Sequence, residues 1–266
     1  MVFADRYVEA ENLSEGWLGA ARMLYVAPGK KAVHLMVRIE SPGGEDPVIR
    51  EAAAALIAAR NSKTKDSYKH FPPIETTSST IFPTDWAAKR PEPSDLAAYY
   101  RERYHKEFGG LRYFQHNRRG TYFGRIVAFP RFGEGAQPAD QLTETVRKLR
   151  EELKGGSPKR ARYEINIYNE RCDRSPMSFP CLAHLSVHLD GDRRLNMQAV
   201  YRNEYIVMRG YGNFLGLAEL QSYMAAAVKV DAGELLMTIG HGELDVGKQL
   251  AAEHLGQLWQ QHSEAA

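Results

Sequence analysis

The sequence predicts an α+β fold built on a mixed or antiparallel sheet, in one large domain or two small ones. Two observations carry this. First, KAVHLMVRIES (31–41), RARYEINIYN (160–169) and the run after Cys181 alternate apolar and polar residues, the pattern of half-buried strands. The last of these turns at Asp190-Gly191-Asp192 and returns over 194–202, a hairpin that needs antiparallel pairing. Second, segments of helical period fall between these runs without strict strand–helix alternation. The dinucleotide pattern GxGxxG and the phosphate-loop pattern GxxxxGK[ST] are both absent. Arg209-Gly210-Tyr211-Gly212-Asn213 comes nearest and lacks the third glycine.

The elements follow in order. SEGWLGAARMLYVA places Trp17, Ala20, Ala21 and Leu24 at helical spacing, with Ser14 as the cap and Pro28-Gly29 as the stop. The strand of 31–41 closes at Pro42-Gly43-Gly44. PVIREAAAALIAARN is a helix with Pro47 in its first turn. Residues 61–95, rich in Ser, Thr and Pro, read as an irregular excursion from the core. DLAAYYRERYHKEF is a polar helix, RGTYFGRIVAFPRF a strand, and QLTETVRKLREELKGG an amphipathic helix with a glycine stop. In the hairpin, Cys181, Ala183, Leu185, Val187 and Leu189 should face one way, and Leu182, His184, Ser186 and His188 the other. From Asn213, Leu217, Leu220, Met224 and Val228 form the stripe of a buried helix. GELLMTIGHGELD is a strand entering a loop, and KQLAAEHLGQLWQQH the final helix.

The 266 residues carry 35 basic and 33 acidic side chains, a formal charge of +2. That balance argues against a dedicated nucleic-acid binder. No apolar run of ~18 residues suggests a membrane span, and MVFADRYVEAENL does not read as a secretory signal. Two cysteines, Cys172 and Cys181, are too few for a disulfide scaffold. These features predict a cytoplasmic protein with reduced thiols.

Three kinds of chemistry are open to these residues. Cys181 is either a small core residue or a nucleophile. The second role needs thiolate character from nearby cations, and Arg171, Arg174, Arg193, Arg194 and Arg202 lie close in sequence. His184 and His188 are four apart on a strand, about 13 Å, too far to share a metal. Arg160, Arg162 and Arg202 sit on strands or strand ends, where guanidinium groups can grip a phosphate or simply form a solvated rim.

The order of these residues resembles the thymidylate synthase superfamily, which includes the pyrimidine nucleotide hydroxymethylases. That family shows an arginine pair, a strand ending Trp-Asn, twelve steps to Pro-Cys-His, a hairpin, Gln-Arg-Ser, eleven steps to an Asn heading a central helix, then a strand and Gly-Asp-x-His-x-Tyr. This chain has Arg160-Ala161-Arg162, Tyr168-Asn169, twelve steps to Cys181, Tyr201-Arg202-Asn203, eleven steps to Asn213, and Gly240-His241-Gly242-Glu243-Leu244-Asp245. Upstream, Tyr122-Phe123-Gly124-Arg125 resembles the family's Val-Tyr-Gly segment, and Asp140-Gln141-Leu142 its Asp-Gln helix start. The likeness spans about residues 120–245.

The resemblance implies a thymidylate-synthase-like mixed sheet packed by helices in a single α+β domain, and a mechanism. A cysteine thiolate adds to C6 of a pyrimidine nucleotide, and C5 then takes a one-carbon unit from 5,10-methylenetetrahydrofolate, giving a methyl or hydroxymethyl product. Cys181 would be the nucleophile and Glu51 the glutamate of the second helix; the proton-moving tyrosine falls on Phe123 in an ungapped alignment, with Tyr122 one residue off as the phenol that could serve. Arg202 and Asn203 would bind the 5′-phosphate. Arg160 and Arg162 would reach the phosphate of a neighbouring subunit in a homodimer with shared sites. Asn213 would read the base edge, leaning toward uracil although an amide can turn end for end. Asn169 stands at the family's strand-end Asn.

The chain also departs from the family. Leu182 replaces the histidine after the cysteine. Tyr205 and Arg209 replace an aspartate and a glycine on the folate side. Glu243 and Asp245 replace the His and Tyr that hold the 3′-hydroxyl. Carboxylates there suit a different sugar, so the resemblance implies a non-standard pyrimidine nucleotide. The altered folate side leaves room for a second reading, a nucleotide-binding member of the fold that has lost catalysis.

Overall fold

The structure, a computed structural model, describes residues 6–103, 120–156, 163–175, 180–191 and 193–264. β1 (Tyr7–Asn12) runs straight into α1 (Leu13–Val26). The cap is Asn12 rather than Ser14: the Asn12 side chain accepts from the Glu15 N–H at 3.0 Å. Ser14 lies buried one residue into the helix, 2.7 Å from the Tyr211 hydroxyl. Trp17, Leu18, Ala20, Ala21 and Leu24 are the buried stripe of α1. Gly16 lets the helix settle on β2 (Lys31–Ser41), since a β-carbon there would stand 2.9 Å from Ile39.

α2 (Pro47–Ser62) begins as expected, behind an Asp46 cap and with proline first. Residues 61–95 depart from the expected excursion. They contain α3 (Ile74–Ile81) and α4 (Thr84–Ala87), and α5 (Pro93–Arg103) starts inside the same stretch. Ile74, Thr77, Ser78 and Ile81 of α3 are buried, so this segment is part of the core. The strand expected over 119–132 is another correction. Thr121 caps α6 (Tyr122–Val127) by accepting from the Gly124 N–H at 3.0 Å. The helix buries Phe123, Ile126 and Val127. Residues beyond it make only an isolated bridge between Phe129 and Ala139.

α7 (Gln141–Lys154) follows its Asp140 cap. Then come β3 (Tyr163–Asn166), β4 (Leu182–Leu189), β5 (Leu195–Tyr201) and β6 (Glu204–Tyr205). A π-helical turn over Ile206–Gly210 leads into α8 (Tyr211–Val228), followed by β7 (Ala232–Glu243) and α9 (Lys248–Glu264). The helix expected to begin at Asn213 thus starts earlier, and Asn213 is inside its first turn. α8 is buried on nearly every side, as its apolar composition requires.

The seven strands form one mixed sheet in the order β1-β2-β7-β5-β4-β3, with β6 alongside β7. β1 and β2 are parallel, β2 and β7 antiparallel, β7 and β5 parallel, and the β5-β4-β3 run antiparallel. Register brings the apolar residues to one face: Val37 opposite Met237, Met237 opposite Ala199, Ala199 opposite Leu185, and Leu185 opposite Ile165. All five are fully buried. The other face, with Met36, Arg38, Thr238, Gln198, Ser186 and Glu164, is only partly covered.

One irregularity in this sheet bears on the site. Leu182 pairs with Tyr201 but His184 pairs with Val200, so β4 carries one extra residue there, a β-bulge. A one-residue slip reverses sides. Leu182 therefore joins Leu185 and Val187 in the core, and the single alternation expected from Cys181 to Leu189 is broken.

Candidate active site around Cys181

The bulge sits beside the start of β4, where Cys181 lies partly buried with a free thiol. The end of β5 faces it: the Arg202 N–H donates to the Cys181 carbonyl at 2.9 Å. The Arg202 Nε donates to the Pro180 carbonyl at 3.2 Å, which draws the guanidinium to the cysteine's side of the strand pair. The chain then steps through β6 and the π-helical turn, which carries Arg209. Two backbone N–H groups of that turn, Val207 at 2.8 Å and Met208 at 3.1 Å, donate to the two carboxylate oxygens of Asp245. Asp245 is thus a clamp for the turn.

The group around the thiol combines a buried ionisable side chain, Glu204, with several half-buried ones, Cys181, Tyr122, Arg209 and Asp245. Burial and the neighbouring Glu204 push the Cys181 thiol up, while Arg202 and Arg209 oppose the rise. Burial raises the Tyr122 phenol, reinforced by Cys181 and Glu204 and opposed by Arg209. Glu204 is only 1% exposed. Burial pushes its carboxyl up to about 8, against the hydrogen bonds from Asn213 and the charge of Arg209. Burial lowers Arg209, with Tyr122, Glu204 and Cys181 holding it charged. Asp245 is raised by burial to about 6. A hydrophobic wall would carry none of these groups; burying several together is costly unless they serve one another or a ligand.

Asn213 donates its amide N–H groups to both oxygens of Glu204, at 3.1 and 3.0 Å. Its Oδ1 is buried with no hydrogen-bond partner, and so is the Tyr201 hydroxyl. Such orphans are uncommon and call for a ligand, a water or a functional role. The assembled groups are a thiol, two guanidinium groups, a phenol, a carboxylic acid and an open amide oxygen. Together they can attack an electron-poor carbon, hold an anion and pass a proton.

The structure therefore gathers Cys181, Arg202, Tyr122 and Asn213. Phe123, by contrast, turns into the core against Phe82 and Tyr100. Asn203 is one step away, its Oδ1 2.9 Å from His241 Nδ1. His241 also lines a cleft of about 650 Å³, together with Arg6, Arg22 and Lys31. Glu243 pairs with Lys31 at 3.2 Å. Asp245, given a sugar-binding role by the resemblance, accepts with each oxygen from a backbone N–H of the π-helical turn. Glu51 lies on the solvent face of α2, outside the group. Arg160 and Arg162 lie outside the described residues.

Asn169 has a different use from the one its position suggests. Its Nδ2 donates to the Pro130 carbonyl at 3.0 Å and its Oδ1 accepts from the Arg171 N–H at 3.1 Å. Its own N–H donates to Asp173, which forms a two-point pair with Arg125 at 2.7 and 3.2 Å. These bonds fasten the loop after β3 to α6. Asp173 is 1% exposed, so removing it strands a cation in a low-dielectric site. Asp173→Ala is expected to cost about 3 kcal/mol, read as a lower urea midpoint; an unchanged midpoint would mean that the loop is not fastened this way.

Sequence reasoning missed Glu204 as a member of the site, and treated Arg209 only as a substitution on the folate side. An acid following Arg-Asn reads as surface, and nothing in its immediate neighbours signals that a two-residue strand buries it. A scan against models of known protein families finds no match, and neither does a search of curated proteins. The fold and site define an α+β chain with a mixed, helix-packed sheet and a buried, polar cysteine centre. No helix among the described residues is long and apolar enough to cross a membrane.

Proposed function

We propose that this chain is a thymidylate-synthase-like enzyme that transfers a one-carbon unit to C5 of a non-standard pyrimidine nucleotide. The observation that carries the reading is the convergence of Cys181, Arg202, Tyr122 and Asn213, residues distant in sequence, on one partly buried centre. Cys181 would add to C6 once ionised. Arg202 and Arg209 would favour the thiolate, and Arg202 with Asn203 would hold the phosphate. Tyr122 would relay a proton near the thiol. Asn213 would meet the edge of the base.

The one-carbon donor that the resemblance suggests is 5,10-methylenetetrahydrofolate, which would supply a carbon at the methylene level. The residues on that side do not fit the family's set. Tyr205, where the family has an aspartate, is 38% exposed, and Arg209, where it has a glycine, places a cation whose charge acts on Cys181. The resemblance suggests a homodimer with shared sites, and the partly covered sheet face is the surface we propose for it.

Dehalogenation of 5-bromopyrimidine nucleotides tests the chemistry, since it needs attack at C6 and an added thiol, which takes the bromine from C5 and leaves as a disulfide with bromide, but no folate. Across ribo and deoxy, uracil and cytosine forms, at least one should release bromide, and Cys181→Ser should lower that rate at least a thousandfold. Bromide release that survives the substitution would remove Cys181 from the chemistry. A second reading has its own support: burial and Glu204 both keep the thiol protonated, as suits a nucleotide binder without catalysis. Tight binding with no bromide release from any member of the panel would favour it.

A further inference from the structure

Asn213 and Glu204 meet across the first turn of α8, and both side chains are buried, 3% and 1% exposed. In the arrangement seen, one amide nitrogen of Asn213 serves both carboxylate oxygens. That geometry belongs to an ionised carboxylate, which only accepts. It leaves Asn213 Oδ1 as the open end of the amide. A protonated Glu204 has one O–H to donate. The nearest acceptor able to take it is the same amide, turned end for end so that its oxygen meets the acid. The turned amide then presents its N–H groups where Oδ1 now stands.

We propose that Glu204 sets which end of Asn213 meets the ligand, so that the protonation state of one buried acid selects between two kinds of base edge. With Glu204 ionised, Asn213 offers an acceptor and suits an exocyclic amine of the ligand. With Glu204 protonated, Asn213 offers a donor and suits a ligand carbonyl. In pyrimidine terms these are the 4-amino and 4-oxo edges. The inference rests on the reading of this centre as a pyrimidine nucleotide site and adds what decides its base preference.

The surroundings are suited to such a choice. Glu204 is faced by Tyr122 from α6, Cys181 before β4, Tyr201 from β5, Arg209 from the π-helical turn and Asp245 after β7. Arg209 favours the charged acid and Asp245 opposes it, with burial the largest influence and against charge. The balance puts the change of state near pH 8, within reach of ordinary buffers. Asn213 has no competing anchor, since Oδ1 is unpartnered and Nδ2 bonds only to Glu204 among the described residues. Either orientation of the amide is therefore decided by that acid.

The test is the affinity of the whole protein for a matched pair, uridine and cytidine 5′-monophosphate in ribo and deoxy forms, by titration calorimetry from pH 6 to pH 10. Affinity for the 4-oxo ligand should be flat below about pH 8 and then fall, up to about tenfold per pH unit. Affinity for the 4-amino ligand should rise toward about pH 8 and then level. In Glu204→Gln, which cannot ionise, both profiles should lose this opposed dependence. The carboxyl carbon-13 shift of Glu204 in the free protein should titrate with the same midpoint. Opposed profiles that vanish in the variant support the proposal. Binding with parallel profiles, or opposed profiles unchanged by Glu204→Gln, overturns it and leaves the nucleotide reading standing. Binding by none of the four, in a wild type that melts cooperatively, overturns both.

Discussion

Glu204→Gln is expected to make the protein more stable at pH 9 and to leave it nearly unchanged at pH 5. Burial holds the folded carboxyl up to about 8, against about 4.3 in an unfolded chain. Between those values the folded state binds the proton and the unfolded state does not. Stability therefore falls as pH rises through this window, by about 1.4 kcal/mol per unit at most. Above about 8 both states have released the proton and the full cost remains. Glutamine keeps the shape and never charges. The gap in melting temperature between variant and wild type should open steadily from pH 5 to about pH 8 and then hold. Asp245, raised to about 6, adds a similar decline at lower pH in both proteins and so cancels from the difference. Melting curves that stay parallel across the range would show that Glu204 is solvated or already neutralised by Arg209.

The second large effect is steric. α8 docks on α3 through Gly212 and Gly216. A β-carbon at position 212 would stand 2.5 Å from Thr77 Cβ and 2.7 Å from the Ile74 carbonyl oxygen. A backbone oxygen cannot swing aside as a flexible side chain can, so the helices must separate. Gly212→Ala is expected to cost about 3 kcal/mol, a drop of roughly 5–10 °C in melting temperature for a chain of this size. Because Asn213 is the next residue, the displacement should also weaken any ligand held at its amide. Gly247→Ala is the control: nothing lies within 4 Å of a β-carbon there, and its effect should stay within about 0.5 kcal/mol. Equal melting of the two variants would refute the close helix contact.

The legible parts of the chain were those where local chemistry and tertiary packing agree. α2 and α7 could be read because proline or aspartate marks their starts and the apolar stripe repeats over several turns. β2 could be read to both ends because one side of it is core and the other is not. α6 was misread as a strand because six residues give too few turns for a helical period to show, and its apolar residues are contiguous. α3 was misread because Ser and Thr dominate it, yet two glycines of α8, far away in sequence, make room for it. At the site, the ordered spacing picked out Cys181, Arg202 and Asn213. It could not pick out Glu204 or the true task of Asp245, because both depend on β6 and the π-helical turn folding back beside β7. Asn169 held its place in the pattern but is consumed by its own loop.

The position of β7 in the sheet has a consequence for how the chain is made. It is the last strand in sequence and lies between β2 and β5, so its partners are already synthesised when it appears. Arg38 of β2 meets Glu234 across 196 residues. During synthesis the β1-β2 pair and the β3-β4-β5 group are separate fragments, each with an unpaired edge facing the gap that β7 will fill. Closing that gap demands long loops, which slows folding and leaves adhesive edges exposed meanwhile. The cysteine centre shares this timing, because β6 pairs with β7 and the clamp of Asp245 lies beyond it. A ribosome-bound chain halted before residue 232 would present Cys181 as an ordinary accessible thiol, open to alkylation. Release of the full chain should shield it in step with protection of the β2 and β5 backbone amides.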